Sequence, residues 1–196
     1  QKDLPIQLSN FYSISKANPV KLSQYFKSVK NIYSKPVSFT TRGHGARVYK
    51  EVSPAVSFIL SQDKNNKPIG TGSGIIISKQ GDIITNNHVI DGSDFLVIYI
   101  KPLAGDVTDK NIIGSHLYMA KVIKTNPTKD LAHIQLLSPP DNLVLAKLGT
   151  NKDIFIGDDV HAIGHPNETA WVYTRGTISQ ILPKYSWPTK HKATVI

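Results

Sequence analysis

The sequence predicts an all-β body, a barrel or sandwich, preceded by a basic arm that holds one amphipathic helix. Three observations carry this. Short runs rich in Ile and Val recur from about residue 52 onward. Clusters of Gly, Asn, Asp or Lys separate them, as turn residues separate strands. The one stretch with a clear helical period lies upstream, at residues 19–34.

In order along the chain, residues 1–18 show no period. In "PVKLSQYFKSVKNIYS", Leu22, Tyr25, Phe26, Val29, Ile32 and Tyr33 recur at three- and four-residue steps and share one helical face. Asn18 can cap this helix and Pro19 suits its first turn. Such a helix docks on its own body or on another subunit; the stripe is short for a membrane-surface helix. Residues 36–50 contain Pro36, Gly43 and Gly45 and read as a connector. "AVSFIL", "SGIIIS", "DIITN", "DFLVIYI", "LYMAKVIKT" and "LAHIQLL" then make six strands by residue 137. "PPDNLVLAKLGTNKD" is a linker. A second series runs through "DVHAIG" and "WVYTRGTISQIL" and is cut short at "KATVI". The expected division is an arm over 1–49, a first β unit over 50–140, and a linker with the start of a second unit over 141–196.

Composition narrows the chemistry. The chain of 196 residues is 40% apolar and 19% charged, as in ordinary globular proteins. No run of 18 or more apolar residues could form a membrane-spanning helix. Cysteine is absent, which excludes disulfides and cysteine-based metal or redox sites. His161 and His165 stand four apart, but Gly164 and Pro166 flank the second, which argues against a helical two-histidine metal site. No metal or cofactor is expected. The net charge of +9 is concentrated in the arm, where nine basic residues face the single acid Asp3 within residues 1–50. A basic arm can approach nucleic acid, anionic lipid or an acidic partner, or simply be a solvated surface. No aromatic-interleaved motif supports a nucleic-acid partner. "NET" at 167–169 is formally a glycosylation acceptor and is read as chance.

His88 is the first candidate for chemistry. It follows an apolar alternating run in "GDIITNNHVIDGSD". A histidine beside a strand is more often structural than catalytic, but here Asp130 stands immediately before a later apolar strand, in "VIKTNPTKDLAHIQL". A carboxylate so placed can accept the His88 Nδ1–H and leave Nε2 able to take a proton. Ser73, in "GTGSGI", is the obvious serine, yet residues 71 and 75 are Thr and Ile where a Gly-x-Ser-x-Gly elbow needs glycine. Ser73 is not expected to be a nucleophile, and its glycines are read as serving a tight turn and close packing.

Together these segments resemble the HtrA/DegP-type branch of the trypsin-like serine proteases. The matching residues are Gly72-Ser73-Gly74 before "IIIS", Thr85-Asn86-Asn87-His88-Val89, Asp130-Leu131-Ala132, and "GDDVHAIGHP…TRGTISQI" over 157–181. The resemblance covers about residues 50–196 and implies a double six-stranded β-barrel, the second incomplete in this sequence. It implies His88 as general base, Asp130 as its orienting acid, and hydrolysis of polypeptide substrates outside the cytoplasm, in the periplasm or after secretion. It also implies a homo-oligomer, a trimer assembled through N-terminal segments, with the helix at 19–34 as a candidate contact. The family's nucleophile lies in a "GNSGG" loop that this sequence does not contain. The expectation is therefore an N-terminal portion of a longer protease, or one fragment whose C-terminal remainder stays bound. The alternative is a non-catalytic protease-fold protein used for binding or scaffolding. The sequence departs from the family pattern at His165 and Asn167, where Asn and Phe are common.

Overall fold

A computed structural model describes residues 43–103, 116–150, 154–166, 170–186 and 192–195. The helix predicted over 19–34 lies outside the described residues. The first described element is α1, His44–Val52, where the sequence reads as a connector. Gly43 and Gly45 carry that reading as turn punctuation, but both serve the helix. Gly43 is its extended N-cap, and a Cβ on Gly45 would come within 2.2 Å of the Tyr173 hydroxyl. The second glycine marks a close approach rather than a bend.

Six strands form a closed antiparallel barrel: β1 (Val56–Gln62), β2 (Pro68–Ile76), β3 (Asp82–Thr85), β4 (Phe95–Tyr99), β5 (Leu117–Asn126) and β6 (Leu131–Leu136). Their order around the barrel is β1-β2-β3-β6-β5-β4. Each corresponds to one of the six strand runs in the sequence. Closure leaves no unpaired edge, the usual solution for a small all-β unit. The barrel interior is filled by Ile59, Ile76, Ile83, Leu96, Ile98, Ala120, Ala132, Ile134 and Leu136, contributed by all six strands. Gly74 is required there, since a Cβ would lie 2.5 Å from Ile83 Cγ2.

All seven residues of β1 are buried, which alternation alone does not predict. Its Val56, Phe58 and Leu60 join Val97, Tyr99 and Met119 in a second cluster drawn from β1, β4 and β5. This cluster lies on the outer face of the barrel, and Ala170 and Trp171 close over it. The two serines of β1 satisfy their hydroxyls on backbone: Ser57 Oγ donates to Gly74 O and Ser61 Oγ to Val89 O.

Beyond the linker, β7 (Asp159–Gly164) pairs with β8 (Val172–Thr177), and β9 (Leu182–Ser186) pairs with β10 (Lys192–Val195). Among the described residues these are two separate two-stranded sheets. The run "WVYTRGTISQIL", through which the second series continues, is divided: β8 ends at Thr177, and β9 begins at Leu182. Buried Ile178 turns inward at the break, its N–H donating to Asp158 O, so its apolar character marks a turn anchor.

Lys101 ties α1 to the barrel. Its Nζ donates to Ser53 Oγ at 2.7 Å and lies 4.1 Å from the Tyr49 ring centroid. Burial pulls its pKa down to about 8 from 10.5. The folded state therefore disfavours the charged form, and the unfolded chain binds more protons between those values. Stability should rise as pH increases from about 8 to 10.5. Because the ammonium keeps some solvent contact, the expected gain is about 2 kcal/mol. Urea unfolding at several pH values checks this: Lys101→Met should flatten the rise, and an equal rise in the variant would refute the assignment.

Candidate active site

The antiparallel register of β3 and β6 pairs Thr85 with Ala132, so residues just past β3 fall beside those just before β6. Residues on these two flanks form the site. After Asn86 comes α2, the single turn Asn87–Ile90. Its Val89 and Ile90 are buried in the barrel core, which leaves His88 outward with its side chain 67% exposed. On the other flank, a 3-10 turn, Pro127–Lys129, delivers Asp130 in the left-handed conformation, φ 52° and ψ 47°. Asn126 steadies that turn by accepting the Lys129 N–H.

His88 Nδ1 lies 2.6 Å from Asp130 Oδ2, and the His88 backbone N–H donates to Asp130 Oδ1 at 2.8 Å. The Asp130 side chain is 14% exposed, so its charge is largely shielded from bulk water. A bond this short to a carboxylate favours the proton on Nδ1 and leaves the Nε2 lone pair directed away from Asp130. Nε2 can then accept a proton from a group brought to it, and Asp130 would stabilise the imidazolium that forms. The structure thus brings together the two residues singled out in the sequence.

Asn86 belongs to the same cluster and was given no role by its place in "TNNHV". Its Nδ2 donates to Asp130 O at 3.0 Å and to Asp130 Oδ2 at 3.2 Å.

Ser73 is engaged elsewhere. Its hydroxyl accepts the His165 backbone N–H at 3.0 Å and lies 3.1 Å from His165 Nδ1. His165 is buried between Phe58 and Trp171, with ring centroids 5.2 and 4.9 Å away. Burial, helped by the nearby charge of Lys101, lowers its pKa to about 3. So weak a base cannot activate a hydroxyl near neutral pH, and the Ser73–His165 pair joins the barrel to the β7–β8 connection instead. A second histidine–aspartate pair, His133 Nε2 to Asp82 Oδ1 at 2.9 Å, spans β3 and β6. Ser78 holds the other oxygen of Asp82, and together the Ser78 and His133 bonds push the Asp82 pKa down. This cluster pins the strand register. A cavity of about 230 Å³ opens at the Leu117 end of β5, among Pro54, His116 and Leu143, and includes neither His88 nor Asp130.

The closed barrel followed by paired strands, with a histidine and an aspartate at the barrel rim, defines a trypsin-like fold. The family model for the trypsin-like peptidase domain matches residues 72–196, well over half of the chain. The chain belongs to that family, and within it the similarity is to the HtrA/DegP type. It is 32% identical over 142 residues to "Protease Do-like 1, chloroplastic" of Arabidopsis thaliana, covering 68% of this chain and 30% of that protein. It is 30% identical over 115 residues to a "Probable periplasmic serine endoprotease DegP-like" of Brucella suis biovar 1, covering 59% of this chain and 20% of that protein. Among solved structures, "HtrA-type protease AlgW with tripeptide" aligns with a TM-score of 0.59 at 26% identity, covering 71% of this chain and 40% of that one. The chain thus spans less than a third of the length of these two curated relatives.

Proposed function

We propose that this chain carries the general-base half of an HtrA-type serine endopeptidase that cleaves polypeptides outside the cytoplasm. The observation that carries the reading is the 2.6 Å contact between His88 Nδ1 and Asp130 Oδ2, with the imidazole otherwise open to solvent. His88 Nε2 takes the proton of a serine hydroxyl as that oxygen attacks the scissile carbonyl. The proton then passes to the leaving amine, and the same nitrogen later activates the water that hydrolyses the acyl-enzyme. Asp130 holds the ring and its tautomer throughout. Ser73 is committed to His165 and is not the nucleophile in this proposal; that role falls to the serine of a GNSGG-type loop, a motif that residues 1–196 do not contain. The periplasmic location in the name of the Brucella relative supports the extracytoplasmic assignment.

A serine-directed fluorophosphonate probe on the native protein tests the reading. Covalent labelling of one serine is the expected result. A properly folded native protein that takes no label would overturn it in favour of a non-catalytic binding role.

A further inference from the structure

We propose that Asn86 is a positioning residue for Asp130, and through it for the His88 imidazole. The role rests on the protease reading.

Asn86 occupies the N-cap of α2 with extended backbone, φ −80° and ψ 146°. Asparagine is among the best residues for that position because its side-chain oxygen can accept the free N–H groups of the first turn. Here the side chain makes no capping bond. Its amide is turned across to Asp130, where one nitrogen serves the backbone carbonyl and the carboxylate oxygen Oδ2. A locally favourable cap is forgone for a contact across 44 residues of sequence. Departures of this kind from the local rule mark functional sites.

The destination of the amide explains the departure. Asp130 has φ 52°, a left-handed conformation that costs a residue other than glycine free energy. A bond to its carbonyl holds the peptide in that turn. The second contact falls on Oδ2, the oxygen that faces His88 Nδ1, while Oδ1 takes the His88 N–H. Three donor groups, all from residues 86–88, thus lock both the backbone and the carboxylate plane. Without Asn86, the carboxylate keeps its two His88 contacts but loses the donor at Oδ2, and the Asp130 carbonyl loses its amide partner, so the imidazole is held less firmly in the attacking orientation.

The test is Asn86→Ser in the native protein. Serine is an N-cap of comparable quality and can make the cap that asparagine forgoes, which offsets part of the cost of the lost Asp130 bonds, so the variant should stay folded with only a small change in melting temperature. Its hydroxyl is too short to reach both Asp130 acceptors. The hydrogen-bonded imidazole proton of His88, followed by NMR, should shift or exchange faster in the variant; an unchanged resonance overturns the proposal. Fluorophosphonate labelling separates the two claims. The saturating labelling rate should fall roughly 10- to 100-fold with an unchanged half-saturating probe concentration, as for loss of one bond to a charged group. A wild-type labelling rate in the variant also overturns the proposal. If the wild-type protein takes no label while the imidazole resonance still responds to the substitution, positioning stands and the protease reading falls.

Discussion

Replacing Asp130 with asparagine should lower the acylation rate of the native protein by about 10,000-fold while leaving it folded. The substitution is nearly isosteric, and asparagine tolerates the left-handed backbone that Asp130 adopts at φ 52°. The peptide bonds around the site are therefore undisturbed. What changes is the partner of His88 Nδ1, now 2.6 Å from a carboxylate oxygen. The His88 N–H still needs an acceptor at the Oδ1 position, where it donates at 2.8 Å; this bond outweighs the longer 3.2 Å donation from Asn86 to Oδ2, so the amide oxygen settles at Oδ1. The amide nitrogen is then left facing Nδ1 and donates to it. The imidazole responds by carrying its proton on Nε2, and a protonated Nε2 cannot act as a base. His88→Ala removes the base itself and should leave at most the same residual rate. Stopped-flow or labelling kinetics check both. An Asp130→Asn variant that acylates within tenfold of wild type would show that the tautomer does not matter, and with it that this pair does not carry the chemistry.

Trp171→Ala should cost about 3–5 kcal/mol. Trp171 is buried on the outer face of the barrel among Phe58, Tyr99 and Met119, with its ring 5.2 Å from that of Tyr99. Its Nε1–H donates to Val56 O at 2.8 Å. Truncation opens a large apolar void and leaves that buried carbonyl without its indole donor. The loss should be uneven. The six-stranded barrel keeps its interior core, whereas the β7–β8 pair loses its main anchor on the barrel. Amide exchange should accelerate in Asp159–Gly164 and Val172–Thr177 well before it does in β1 or β6. A loss below about 1 kcal/mol in urea unfolding, or uniform acceleration of exchange, would contradict this view of Trp171 as the joint between the two parts.

The first barrel was legible because its signals are local. Each strand is a short Ile- and Val-rich run between turn residues, and β7 coincides with "DVHAIG". His88 and Asp130 were legible because each abuts such a run, and their segments together match a family pattern. The helix at His44–Val52 was not, because glycine looks the same in a turn and at a close contact; only the position of Tyr173 distinguishes them. Nor was the division between β8 and β9, where the apolar residue at the break is a buried anchor.

By itself the sequence determined the all-β class, the six barrel strands and the identity of the histidine and aspartate, since periodicity and turn chemistry act over a few residues. Tertiary structure decided which polar side chains work together. It turned Asn86 from its own helix to Asp130, bound Ser73 to a histidine too deeply buried to be a base, and used the outer face of the barrel as a second core. These outcomes depend on groups far apart in sequence competing for the same hydrogen-bond donors, acceptors and buried volume. That competition is resolved only when the chain is folded.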